Sequence, residues 1–169
     1  MATTAHRELA VPLDTSYLAN VRNEVMEVLG TDVFPAVKAN LIALAVDEAL
    51  ANIMEHAFGC RPGRTAAGDE ILLVLDLTPE RFTVIIRDKG EVFDPREAPD
   101  VNLPEHLKAG RKGGLGIFLI RRIMDEVNYS FTEHGRNELQ LIKYVDEAAG
   151  RAKSREQEQE TTGGAVSKR

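Results

Sequence analysis

The stretch "VDEALANIMEHAF", residues 46–58, lays a carboxylate, an amide and an imidazole onto an amphipathic helical pattern. Val46, Leu50, Ile53 and Met54 form the apolar stripe, and Asp47, Glu48, Asn52, Glu55 and His56 crowd into the same turns. Glu48 and Asn52 are four residues apart and therefore share one helical face. Taken alone, such a pair is an ordinary polar surface, because charged and amide side chains are mostly solvent-exposed. Asp47 and Glu55 read as solvated charges, and His56, one turn beyond Asn52, as a packing or capping residue. The meaning of the pair is set by what lies around it.

The stretch closes the longest helix in the chain, "PAVKANLIALAVDEALANIMEHAF" (35–58), which opens on a proline and carries a long apolar face. Before it, "RELAVPL" (7–13) reads as a strand with Pro12 favouring a sheet edge. "DTSYLANVRNEVMEVLG" (14–30) reads as a helix, with Asp14 or Thr15 as cap, apolar residues at helical spacing and Gly30 as the stop. After it comes a glycine-rich loop (59–69), then a hairpin of "EILLVLDL" and "RFTVIIRD" around "TPE". Residues 89–114 show little periodicity, and a structureless connection of that length is often functional. "LGIFLIRRIMDEV" (115–127) reads as a helix, and "NYSFTEH" and "NELQLIKYV" as a second hairpin. These elements predict an α+β fold, a two-layer sandwich with a mixed, mainly antiparallel sheet and helices on one face. Residues 1–145 form one domain, and the polar, low-complexity residues 146–169 read as a disordered tail.

Composition narrows the function. The chain has 169 residues, 43% hydrophobic and 28% charged, with a net charge of −6. No Lys/Arg cluster is extensive enough to suggest direct nucleic-acid binding. The single cysteine, Cys60, excludes an internal disulfide and a cysteine zinc cage. No run is apolar and long enough to span a membrane, and the first residues lack a signal-peptide core, so the expected location is cytoplasmic.

Two further segments carry possible chemistry. In "RDKGEVFDP" (87–95) a hydrophobic strand ends in Asp88, followed by Gly90, Phe93 and Asp94. An aspartate there is commonly a turn-former, but it can also be a fixed acceptor for a ligand amine, with Gly90 letting a flat ring approach the backbone. In "GRKGGLGIFLI" (110–120), Gly110, Gly113, Gly114 and Gly116 lead into a helix whose free N–H groups and dipole favour phosphate. It is not a P-loop, because no Gly-Lys-Ser/Thr follows, and no parallel βαβ unit supports a Rossmann fingerprint.

In sequence order these three segments resemble the N, G1 and G2 boxes of the ATPases that include DNA gyrase, the heat-shock 90 chaperones and the histidine kinases. Over residues 8 to 145 they are most similar to the small stand-alone members, the anti-sigma-factor serine/threonine kinases. The resemblance implies a Bergerat-type ATP-binding fold, with ATP and Mg²⁺ as cofactors. It implies that Asn52 meets the metal and that Glu48 is the general base for a serine or threonine hydroxyl. It implies that Asp88 accepts from the adenine amine, that Gly90 makes room for the purine, and that Phe93, Gly113, Gly114, Leu115 and Gly116 complete the nucleotide site. Residues from Pro95 to Gly113 would be the ATP lid. The implied partners are a sigma factor and an anti-sigma-factor antagonist that is phosphorylated, and the implied assembly is a homodimer.

Two positions depart from the family pattern. Val92 stands where a second G1 glycine is common, and Gly135 is followed by Arg136 where Gly-Thr is frequent, the threonine helping to hold adenine through water. A histidine kinase is disfavoured, because His6, His56, His106 and His134 do not sit in a long paired-helix pattern. A switch kinase acting on a phosphatase, or a non-catalytic ATP-binding regulator, are the alternatives, and the retained Glu48 speaks against the second.

Overall fold

In the computed structural model, residues 5–30, 32–59, 70–97, 115–132 and 135–145 are described. A five-stranded sheet runs in the order β1-β2-β3-β5-β4, from β1 (Ala5–Pro12), β2 (Glu70–Leu77), β3 (Arg81–Asp88), β4 (Glu126–Phe131) and β5 (Asn137–Tyr144). Among the described residues every strand pairing is antiparallel, where a mixed, mainly antiparallel sheet is expected. Pro12 sits on the outer strand, the part of a sheet to which proline is usually confined.

The Asp14 carboxylate accepts from Ser16 N at 2.9 Å and starts a 3₁₀ turn, Thr15–Tyr17, that runs into α1 (Leu18–Leu29). Gly30, at φ 58°, ends it in a conformation that favours glycine. After Pro35 comes α2 (Ala36–Asn52), and the chain then widens into a π-helical turn, Ile53–Ala57. The single helix expected over 35–58 is thus two kinds of helix, and the change falls immediately after Asn52.

Strand alternation sorts the core. Ile71, Leu73, Leu75 and Leu77 of β2, Phe82, Val84 and Ile86 of β3, and Leu139 and Leu141 of β5 bury themselves against Val21, Val25, Ile42, Val46, Ala49 and Leu50 of α1 and α2. Asp88 and Asn137 fall on the same side by the same alternation, and both are buried.

The last helix, α3 (Gly116–Ile123), is shorter than the 115–127 expected, and Glu126 and Val127 belong to β4. Asp125 gives the reason. Its carboxylate accepts from Lys143 Nζ at 2.9 Å and Tyr144 N at 2.7 Å, and its own N–H donates to Ile142 O at 2.8 Å. Those bonds draw the chain onto the end of β5 before another helical turn can form. The expected tail, residues 146–169, and the loop 60–69 lie outside the described residues.

Candidate nucleotide site

The site is built where the end of α2, the end of β3 and the start of α3 converge. Glu48 and Asn52 stand one turn apart on α2, both partly exposed. The Glu48 carboxylate has no hydrogen-bond or ion-pair partner among the described residues. Asn52 Nδ2 is buried without a partner, which leaves Oδ1 as the atom open to a ligand.

Gly116, the first residue of α3, is pressed against both. A Cβ added there would lie 2.5 Å from Glu48 Oε2 and 3.1 Å from Asn52 Nδ2. The start of a helix, with its unpaired N–H groups and positive dipole end, is thereby seated beside a carboxylate and an amide. Leu115 is the residue before that helix, in right-handed helical backbone. Gly113 and Gly114, with most of the expected lid, lie outside the described residues, as residues 98–114.

Asp88 closes β3 and is 4% exposed. Its Oδ1 accepts from Gly90 N at 2.8 Å and from Asn137 Nδ2 at 2.9 Å. Among the described residues Oδ2 accepts nothing, which leaves one directed acceptor for an outside donor. Burial raises the Asp88 pKa above the ordinary carboxylate value, and the bonds from Asn137 and Gly90 offset part of that rise.

Asn137 carries no motif signal of its own in the sequence. Arg136 is the residue that follows Gly135 where threonine is frequent, but the register pairs Asn137 with Asp88, so Asn137 is the polar residue that faces it. Its Nδ2 also reaches Gly90 O at 3.1 Å, while its Oδ1 is buried without a partner. A signal existed: Asn137, Leu139 and Leu141 alternate onto the core side, and an amide in a core slot needs an explanation.

At Gly90 the side a Cβ would occupy is filled by protein. A Cβ there would lie 2.7 Å from both Ala57 Cβ and Ala57 O and 2.9 Å from the Phe58 ring. The glycine lets the loop press onto the π-helical turn, where Glu91 N donates to Ala57 O at 2.9 Å. Phe93 stacks on His56, with ring centroids 4.6 Å apart and planes at 20°. The packing role expected of His56 is therefore met by a G1-loop partner. Asp47 is not solvated: it is 6% exposed and accepts from Arg22 of α1 at 2.7 Å. Burial raises its pKa, with the Arg22 bond opposing. Glu55 is exposed, as expected.

Two clefts open at this end of the sheet. One, of about 230 Å³, is lined by residues including Phe58, Arg87, Asp88 and Lys89. The other, of about 350 Å³, lies between Arg87, Thr132, Arg136 and Glu138. They meet the site only at Asp88, and neither includes Glu48, Asn52 or Gly116. The Gly116 contacts are what join the groups whose chemistry is complementary. Among the described residues no group of three His, Cys, Asp or Glu could hold a metal, and no helix is long and apolar enough to cross a membrane.

Comparison with known proteins fits this geometry. The model of the histidine kinase-like ATPase domain family matches residues 11–143. A serine-protein kinase RsbW of Bacillus cereus is 30% identical over 145 residues, covering 82% of this chain and 84% of its own. The serine/threonine-protein kinase BtrW of Bordetella bronchiseptica is 36% identical over 103 residues, covering 61% and 68%. Serine-protein kinase RsbW of Staphylococcus epidermidis is 28% identical over 148 residues, covering 85% and 89%. Among solved structures, a chain in the SiaB-SiaC complex from Pseudomonas aeruginosa shares the fold, with a TM-score of 0.56 at 17% identity over 83% of this chain and 89% of that one.

Proposed function

Because the chain belongs to the histidine kinase-like ATPase domain family, and within it to the ATP-using serine/threonine protein kinases, we propose that it is an anti-sigma-factor kinase. In this reading it holds a sigma factor inactive as a homodimer and phosphorylates an antagonist protein on serine or threonine. The observation that carries the chemistry is the seating of Gly116 on Glu48 and Asn52.

The roles follow from the groups present. Asp88 Oδ2 takes the adenine amine. The start of α3 offers backbone N–H groups to the phosphates. Asn52 fits Mg²⁺: its accessible Oδ1 is a neutral oxygen, and Mg²⁺ usually keeps waters and phosphate oxygens alongside one or two protein groups. When bound, the metal supplies positive charge at the phosphate oxygens. Glu48 takes the proton of the attacking hydroxyl. That oxygen bonds to the γ-phosphorus, and ADP leaves with the electron pair of the broken bond.

Two variants test the reading in a phosphotransfer assay with the antagonist purified from the native host, beside nucleotide titration. Glu48→Gln keeps the shape and removes the base, so it should bind Mg²⁺-ATP normally and transfer phosphate about 10²–10⁴-fold more slowly. Asn52→Ala should lose metal and nucleotide affinity together. Wild-type turnover by Glu48→Gln would move the base elsewhere. Light scattering and a sigma-factor pull-down on the same proteins test the dimer and the sigma partner.

A further inference from the structure

The loop that follows Asp88 and the helix that opens at Gly116 come from separate parts of the chain, and among the described residues the Arg121 side chain joins them. Arg121, in the last turn of α3, donates through Nη2 to Pro95 O at 2.8 Å and Arg96 O at 2.7 Å. Those carbonyls belong to the 3₁₀ turn Pro95–Glu97. The same loop is held again just upstream. Phe93 N donates to Tyr129 Oη at 3.3 Å, and the Arg96 guanidinium lies 5.9 Å from the Tyr129 ring centre. Asp94 accepts from Arg96 N at 2.9 Å and from Arg96 Nη2 at 2.7 Å. Chiefly through the Arg96 bond, with the Arg121 charge adding, the Asp94 carboxyl is held below its ordinary pKa.

Three contacts thus form a triangle. Gly90 is pressed onto the end of α2, Gly116 is pressed onto Glu48 and Asn52 of α2, and Arg121 ties the loop to α3. We infer that Arg121 is a positioning residue that fixes the separation between the base end and the phosphate end of the nucleotide site. Without it, the two α2 contacts and the burial of Ile120 remain and each half of the site stays formed, but the loop is no longer held at a fixed distance from α3. A ligand that spans both halves gains from the second only when their spacing matches its own. A ligand that occupies one half does not register the change.

The inference rests on adenine binding at Asp88 and phosphates at α3, and the test separates the two. Affinities for Mg²⁺-ATP and for adenosine are measured on the full chain by calorimetry and by NMR titration. Arg121→Met should lose about tenfold in ATP affinity, the size expected when one charged hydrogen-bonding group is removed, with adenosine affinity within about twofold of wild type. Arg121→Lys, whose ammonium can serve both carbonyls, should recover ATP affinity to within about threefold. Unchanged ATP affinity in Arg121→Met, or equal losses for ATP and adenosine, overturns the inference. If Arg121→Met does not fold, Arg121→Gln is measured in its place and the same ratio decides. Asp88→Asn is the control for the underlying reading: it should abolish adenosine binding, and if it does not, the adenine assignment fails whatever Arg121 does.

Discussion

Replacing Asp88 with asparagine exchanges one oxygen for an NH₂ group, and the structure says which oxygen is lost. Gly90 N and Asn137 Nδ2 are both donors and both point at Oδ1. The asparagine amide will therefore set its own oxygen at that place and turn its NH₂ outward, where Oδ2 was. The adenine amine, a donor, then meets a donor. A hydrogen bond to a charged group contributes about 1.5–3 kcal/mol, and an unsatisfied buried polar group costs about 1–3 kcal/mol. Together these are about 2.5–6 kcal/mol, or roughly two to four orders of magnitude in ATP affinity. The fold should not suffer. Burial raises the carboxyl pKa in the folded protein, so the ionised form is a stability cost there. That cost is absent below the ordinary carboxylate range, grows as pH rises from there, and is complete above the raised folded value. Asparagine removes it, so the variant should melt at or above the wild-type temperature at neutral pH. Calorimetric titration with Mg²⁺-ATP beside a thermal melt decides the matter. A folded variant with near-wild-type affinity would refute the adenine role of Asp88.

ATP affinity should fall as pH is lowered, beginning above the ordinary carboxylate range, because the proton goes to Oδ2, the oxygen without partners. Asn137→Ala removes one of the two bonds that hold the Asp88 pKa down, so the fall should begin at higher pH, and titrations in a buffer series will show it. Gly116→Ala would place a methyl 2.5 Å from Glu48 Oε2, the movable end of a side chain. Turnover should drop at least about tenfold, because misplacing a reacting group by an ångström is costly, while the melting temperature should change little, because the nearest clashing atom is the end of a side chain that can move. Gly90→Ala meets Ala57 backbone, which cannot step aside, and denaturant unfolding should show a loss of about 1–3 kcal/mol.

Periodicity made most of the fold legible before any coordinates. The Asp14 cap, the Gly30 stop and both hairpins each rest on interactions between near neighbours in sequence. The elements that differed were decided by distant ones. Helix α3 ends early because Asp125 is claimed by Lys143 and Tyr144. Asp47 is buried because Arg22, on another helix, reaches it. The site followed the same division. Glu48 and Asn52 announce themselves by a four-residue spacing, and Gly116 by its place at a helix start. Asn137 and Arg121 act across the sheet and across the loop, and their partners are 49 and 25 or 26 residues away. The conformational freedom of Gly90 is legible locally, but the helix end it meets is foretold by no local pattern.

The π-helical turn from Ile53 to Ala57 has a consequence for chain length. Each residue added to or removed from a helix rotates everything beyond it by about 100°. The turn closes on the fifth residue where an α-helix closes on the fourth, so it takes up one residue more than the α-turn it replaces. Forced into α geometry with the same residues, everything beyond it would rotate by about 100°. His56 would then swing away from Phe93, and Ala57 O from the amide of Glu91. The loop after Asp88 would lose its seat while Glu48 and Asn52 kept theirs. The extra residue is therefore a spacer, whose loss the turn can absorb by tightening but whose presence an α-helix has no room for.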